Sequence, residues 1–196
     1  MKKGGNTVII LIVVILLVYF AFSSYNGLIN LDEKVNKSYA DLQTAVQRRA
    51  DLIPNLVNTV KGYASHEEET FTKITEARSK LSQATNPTEL SQANAELTKA
   101  IGDINVVVEA YPELKANENF IQLQDELAGT ENRIAVARRD YNDVVNTFNS
   151  KVRKFPTSIF ANMLGFSPRA YFEADPGTEN APTVDFGLIV RESYIG

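Results

Sequence analysis

The run "QRRADLIPNL", residues 47–56, places two arginines, an aspartate and a proline inside what otherwise reads as the apolar stripe of a long helix. A guanidinium beside a carboxylate in apolar surroundings could hold an anion or stabilise a charged transition state. A second chemical candidate is "SHEEETF", where His66 precedes Glu67, Glu68 and Glu69. An imidazole with carboxylates can bind a metal or move a proton. Neither stretch has a nucleophile and a second base at a useful spacing. With one histidine and no cysteine, the chain excludes multi-imidazole and thiolate metal sites, cysteine nucleophiles and disulfide frameworks. "SHEEE" also lacks the two histidines one turn apart that a zinc hydrolase needs. The expectation is therefore no catalytic, cofactor-binding or metal residue, with His66 an exposed polar residue at a helix start.

The elements that position these residues begin with a membrane segment. Residues 1–7 form a short N-terminal stretch with Lys2 and Lys3, followed by fifteen apolar residues from Val8 to Phe22. At 1.5 Å per residue that run is roughly 22 Å long, and its flanks extend it toward the ~30 Å hydrocarbon core. Tyr19, Phe20, Phe22 and Tyr25 lie at its far end, at headgroup level. A cleaved signal peptide competes with this reading, since "AFS" weakly resembles a cleavage site. A retained transmembrane helix over 8–24 fits better, because the run is long for a signal and a helical pattern starts directly after it. Lys2, Lys3 and the amine precede the segment, which by the positive-inside rule leaves the following domain outside the cytoplasm. Lys34 and Lys37 weaken that bias. The net charge of -4 carries no basic footprint for nucleic acid.

After the membrane helix the sequence predicts an all-α fold, an antiparallel up-and-down four-helix bundle over 25–155. Leu28, Leu31, Val35, Leu42, Ala45, Leu52, Leu56 and Tyr63 recur three and four apart, with Val46, Ile53 and Val60 widening the stripe. This is one long helix over about 25–63. The stripe keeps its phase across Pro54, so the proline should kink the helix and not end it. Ser65 with Glu68 predicts a capping box for a helix over 66–84. Asn86, Pro87 and Glu89 start a third over 87–111. The fourth, over 117–155, carries a regular heptad-like stripe from Phe120 to Phe148. Two long and two shorter helices would leave a two-helix stem near the membrane, to be completed by the C-terminal segment or a second subunit.

If the first helix ascends and the fourth descends, Arg49 faces Glu131. Arg133 lies beside that pair, and Asp51 lies one turn from Arg48. A structural charge network of Arg48, Arg49, Asp51, Glu131 and Arg133 would then fix helix register at some cost in stability. Removing the charge at Arg49 should be rescued by apolar replacements at both Arg49 and Glu131.

"RRADLIPNLVNTVKGYASHE", "ITEAR", "FIQLQDELAGTENRIAVARRDYN" and "FPTSIFANMLGF" together resemble the LemA family over roughly residues 20–186. The resemblance implies a bacterial protein with a short N-terminal segment, one membrane helix and a helical bundle. No enzymatic activity or general biochemical role is established for the family, and some relatives are tied to bacterial membrane organelles. The family's typical sequence ends near "APTVDF", whereas here "GLIVRESYIG", residues 187–196, continues beyond it.

Residues 156–172 form a short aromatic amphipathic segment, and 173–196 have the composition of a flexible tail. Ile159, Phe160, Met163, Leu164 and Phe166 could cap the stem, lie in the membrane interface or bind a partner. The overall expectation is a non-enzymatic, single-pass scaffold or interaction module at the cell membrane. Its partners would be the bilayer, a second copy or envelope proteins. The alternatives are a membrane-remodelling or envelope-sensing module using the aromatic segment and, more remotely, a hydrolase.

Overall fold

The computed structural model of the chain describes residues 3–173. Among these residues the fold is all-helical, with six helices and no strand: α1 (Lys3–Lys61), α2 (Glu68–Gln83), α3 (Pro87–Val108), α4 (Pro112–Lys115), α5 (Glu118–Arg153) and α6 (Thr157–Met163). The tail expected from 173 onward, with the extension 187–196, lies outside the described residues except for Glu173.

The two segments expected over 8–24 and 25–63 form one uninterrupted helix. α1 has 59 residues, about 90 Å at the usual rise. No proline separates the apolar run from the amphipathic stripe, and a lone glycine such as Gly27 costs only about 1 kcal/mol in a helix interior. α1 also runs on past Pro54 to Lys61.

Other boundaries moved for identifiable reasons. α2 starts at Glu68 without the Ser65–Glu68 capping box; its cap is Glu67, which makes no side-chain cap bond. The chain leaving α1 turns tightly instead, with the Tyr63 and Ala64 amides donating to the Val60 carbonyl and Glu67 N–H to that of Ala64. Ala64 is buried and pins the turn, which leaves Ser65 and His66 exposed. α3 and α5 begin as their sequences suggest. The Asn86 side chain accepts from Glu89 N–H at 2.9 Å and Asn117 from Phe120 N–H at 3.1 Å. The separate α4 arises because Pro112 suits a first helical position and Leu114 anchors the turn in the core.

α1, α2, α3 and α5 contribute to a single buried cluster, with α1 packed along α5 and α2 packed on α3. On α1 the buried line runs Leu28, Val35, Leu42, Val46, Ala50, Ile53, Leu56 and Val60, while Ala45 and Leu52 are only half-buried. Beyond Leu42 the α2–α3 pair meets α1 from a second side, which turns Val46, Ile53 and Val60 inward.

Nearer the apolar run the C-terminal segment completes the core. α6 ends in a Schellman turn: Phe166 N–H donates to Ala161 C=O at 2.9 Å and Gly165 N–H to Asn162 C=O at 3.4 Å. Gly165 has φ +79°, a conformation a β-carbon would oppose. The reversal sends Phe166 back against Tyr25 and Phe148, with ring centroids 6.3 and 6.4 Å apart. Residues 167–173 then run as an extended strap beside α5. The Asn149 amide pairs with both backbone groups of Arg169, accepting from its N–H at 2.7 Å and donating to its C=O at 2.9 Å. Asn142 does the same with Phe172, both bonds at 2.9 Å. The spacing is commensurate. Seven residues of helix and three extended residues each cover about 10 Å. Tyr141 Oη donates to the Ala170 carbonyl at 2.8 Å, and burial pushes its pKa from 10.0 up to about 12, so the donor proton stays in place. The strap ends with Phe172 buried and with Ser91 of α3 donating to the Glu173 carbonyl at 3.3 Å.

Each asparagine therefore holds one residue of the strap. In hydrogen exchange, Asn149→Ala is expected to unprotect the Arg169 amide and Asn142→Ala the Phe172 amide, with α5 amides unchanged. The cost should be about 1–2 kcal/mol per asparagine, from two modest hydrogen bonds. Unchanged protection of either strap amide would contradict this account.

Candidate functional site

Residues 49–54 are where α1 meets its neighbours. Arg49 projects from the buried face, and its Nη1 lies 2.9 Å from Thr98 Oγ1 and 3.4 Å from Asn94 Oδ1 on α3. The same nitrogen is 2.6 Å from Glu131 Oε2 on α5. Arg49 is 5% exposed in its side chain and Glu131 41%, so the cation is buried while its counter-ion borders solvent.

Of the five charged residues expected to form a network, the structure brings together only Arg49 and Glu131. Arg48 is exposed, and Asp51 accepts from Gln47 Nε2 at 2.8 Å and does not pair with Arg48. Arg133 is exposed on the groove between α1 and α5, beside Asn132, Asp41 and Asp140. On α1 helical geometry accounts for the difference, since Arg48 lies about 100° and Asp51 about 200° round the axis from Arg49, and both point away from the neighbouring helices. Asn94 and Thr98 take their place. The available signal for Asn94 was a polar residue one turn after Leu90 on the apolar stripe of α3.

Pro54 also has a partner that the pattern did not disclose. Proline has no N–H to give to the carbonyl four residues earlier, which here is that of Ala50. Arg78 Nε, from α2, donates to this Ala50 carbonyl at 3.1 Å. A backbone acceptor freed in a buried stretch is thus satisfied from a neighbouring helix.

The Arg49 guanidinium is held by Thr98 and Asn94 of α3 and faces the Glu131 carboxylate of α5, so its contacts join three helices. Among the described residues no group of three or more His, Cys, Asp or Glu side chains could hold a metal ion.

The five apolar residues nominated in the C-terminal segment divide into two sets. Phe160 and Phe166 are half-buried; Phe160 faces Phe20 of α1 at a centroid distance of 6.2 Å. Ile159, Met163 and Leu164 face outward. The described side chains of the apolar run of α1, Val8–Phe22, are likewise almost all exposed, and α1 is a helix long and apolar enough to cross a membrane.

The LemA family model matches residues 38–186, more than half of the chain. The chain belongs to the LemA family. It is 32% identical over 161 residues to protein LemA of Metamycoplasma hominis, covering 80% of this chain and 72% of that protein. It is 25% identical to magnetosome protein MamQ 2 of Paramagnetospirillum magneticum and 23% to magnetosome protein MamQ of Magnetospirillum gryphiswaldense, each over 178 residues. Those two alignments cover 78% of this chain and 65% of the relative, just under two thirds of the MamQ length. In this LemA-family chain the match includes Arg49, Pro54, Arg78, Asn94, Glu131 and the whole strap.

The geometry revises the expected rescue at Arg49. Arg49→Met strands Glu131 and also Asn94, which is 1% exposed. The single substitution should cost about 2 kcal/mol, less than for a fully buried pair because Glu131 borders solvent. Arg49→Met with Glu131→Leu should recover only part of the loss, and adding Asn94→Leu should recover most of the remainder. Urea denaturation of the full chain measures this; full recovery by the double variant would contradict the role of Asn94.

Proposed function

We propose that this LemA-family chain is a single-pass, membrane-anchored helical scaffold whose span is 8–24. Helices α1, α2, α3 and α5 form its four-helix bundle. The observation that carries this reading is the continuity of α1 from the outward-facing apolar run to the buried core. A span joined to a domain by a flexible linker tethers it without orienting it. A span that is the same helix as the core fixes the domain's direction and height above the bilayer. The resulting projection of a helical surface at a set distance suits a protein that works by contacts with a second copy or with envelope proteins. Likeness to two magnetosome proteins supports a part in organising a membrane. Lys2 and Lys3 favour a cytoplasmic N-terminus and an extracytoplasmic bundle.

The cysteine-free sequence permits a direct test. Val106→Cys places one thiol on an exposed position of α3. A membrane-impermeant maleimide should label it in intact cells, after permeabilisation of any outer membrane, and cross-linking through it should capture a second copy or an envelope protein. Labelling only after lysis would reverse the orientation. A strictly monomeric protein that captures nothing would remove the scaffold role.

A further inference from the structure

Exposed apolar side chains gather on the outward face of the α6 region, with Asn162 the exposed polar residue within the helix. Phe155, just before α6, together with Ile159 and Met163, is spaced four residues apart; these side chains are 82%, 52% and 79% exposed, and Leu164 beside them is 48% exposed. No ionisable residue occurs between Lys154 and Arg169. Large apolar side chains this exposed, in a segment otherwise anchored by buried Thr157 and Ala161, require something to cover them.

Its place in the fold identifies the cover. Phe160, on α6, sits against Phe20, which belongs to the apolar run of α1. Tyr25, packed against Phe166, is five residues higher on α1, about 7 Å along the axis. α6 is therefore level with the end of the span and below the point where the strap begins. Helices that lie in a membrane surface bury their apolar face about 5–10 Å into the headgroup–acyl boundary, and Phe20 is four residues, about 6 Å, inside the end of the 8–24 span. Exposed Lys151, Arg153 and Lys154 immediately precede the apolar face, as cations do at a headgroup layer.

We infer that the exposed face of α6 rests in the boundary of the bilayer that α1 enters, giving the protein a second lipid contact beside its span. The inference rests on the anchored reading above. The two contacts are close in space but lie more than a hundred residues apart in sequence, and the strap holds the second in place. Bilayer contact at α6 would restrict tilting of α1 and so set how the core stands on the membrane.

Because the chain has no tryptophan, single reporters test this in the full-length protein reconstituted into anionic phospholipid vesicles. Met163→Trp reports on α6, Val13→Trp on the span and Val106→Trp on the distal core. With lipids brominated at defined acyl depths, Val13→Trp should be quenched by deep bromines and Met163→Trp by shallow ones. Val106→Trp should keep its emission. Ile159→Trp supplies the same α6 readout if Met163→Trp does not fold. Quenching at Val13→Trp without quenching at α6 overturns the inference and leaves the anchor standing; loss of both overturns both. A blue-shifted α6 emission that brominated lipid does not quench means that protein, such as a second copy, covers the face, which also overturns it.

Discussion

The carbonyl of Ala50 is the constraint around which this fold is arranged. Pro54 deprives it of its helical donor, in a stretch of α1 buried under neighbouring helices. An unsatisfied backbone acceptor there would cost about 1–3 kcal/mol. Arg78 supplies the missing donor from α2, and one residue earlier Arg49 reaches α3 and α5. Within six residues α1 is thus fixed to each of the three helices around it. These contacts are directional, so they specify register in a way that interchangeable leucines and alanines do not.

That specification matters because α1 has two environments to serve. Its first third presents apolar side chains outward, and the remainder must present a different face to α5 and the α2–α3 pair. With no break between the two, a rotation of α1 in the core would rotate the apolar run as well. The asparagine-held strap applies the same logic from the other end. Asn142 and Asn149 give an extended backbone the paired hydrogen bonds it would find in a sheet, and so return α6 to the foot of the helix pair. The domain is consequently tied to the end of the apolar run through α1 and through the strap.

Much of this was legible in the sequence, for reasons that particular residues make clear. Long apolar periodicity located α1, α3 and α5, and the cap at Asn86 followed from local chemistry. Arg49 could be set opposite Glu131 because two long antiparallel helices leave little freedom in register. Asn94 and Thr98 could not be found that way, since their position depends on how the α2–α3 pair leans on α1. The Arg78 contact was hidden for the same reason, and it ends on a backbone carbonyl that has no side-chain signature. The mistaken capping box at Ser65 came from a local motif that the burial of Ala64 overrode. Arg48 and Asp51 were grouped with Arg49, and Arg133 with Glu131, by nearness in sequence, which a helix converts into different faces. For Ile159, Phe160, Met163, Leu164 and Phe166 the sequence left stem, membrane interface and partner open, because which of them point inward depends on the placement of α6 against Phe20.

The charges and proline of residues 49–54 are matched to neighbouring helices. The most direct measurement is a double-mutant cycle on Pro54 and Arg78, read by urea denaturation of the full chain. Arg78→Met should destabilise the protein by about 2 kcal/mol when Pro54 is present, because the Ala50 carbonyl loses its donor. In a Pro54→Ala background the new backbone N–H can serve that carbonyl, and the same Arg78→Met change should cost less than half as much. Equal costs in both backgrounds would contradict the account and leave the proline without the role assigned to it.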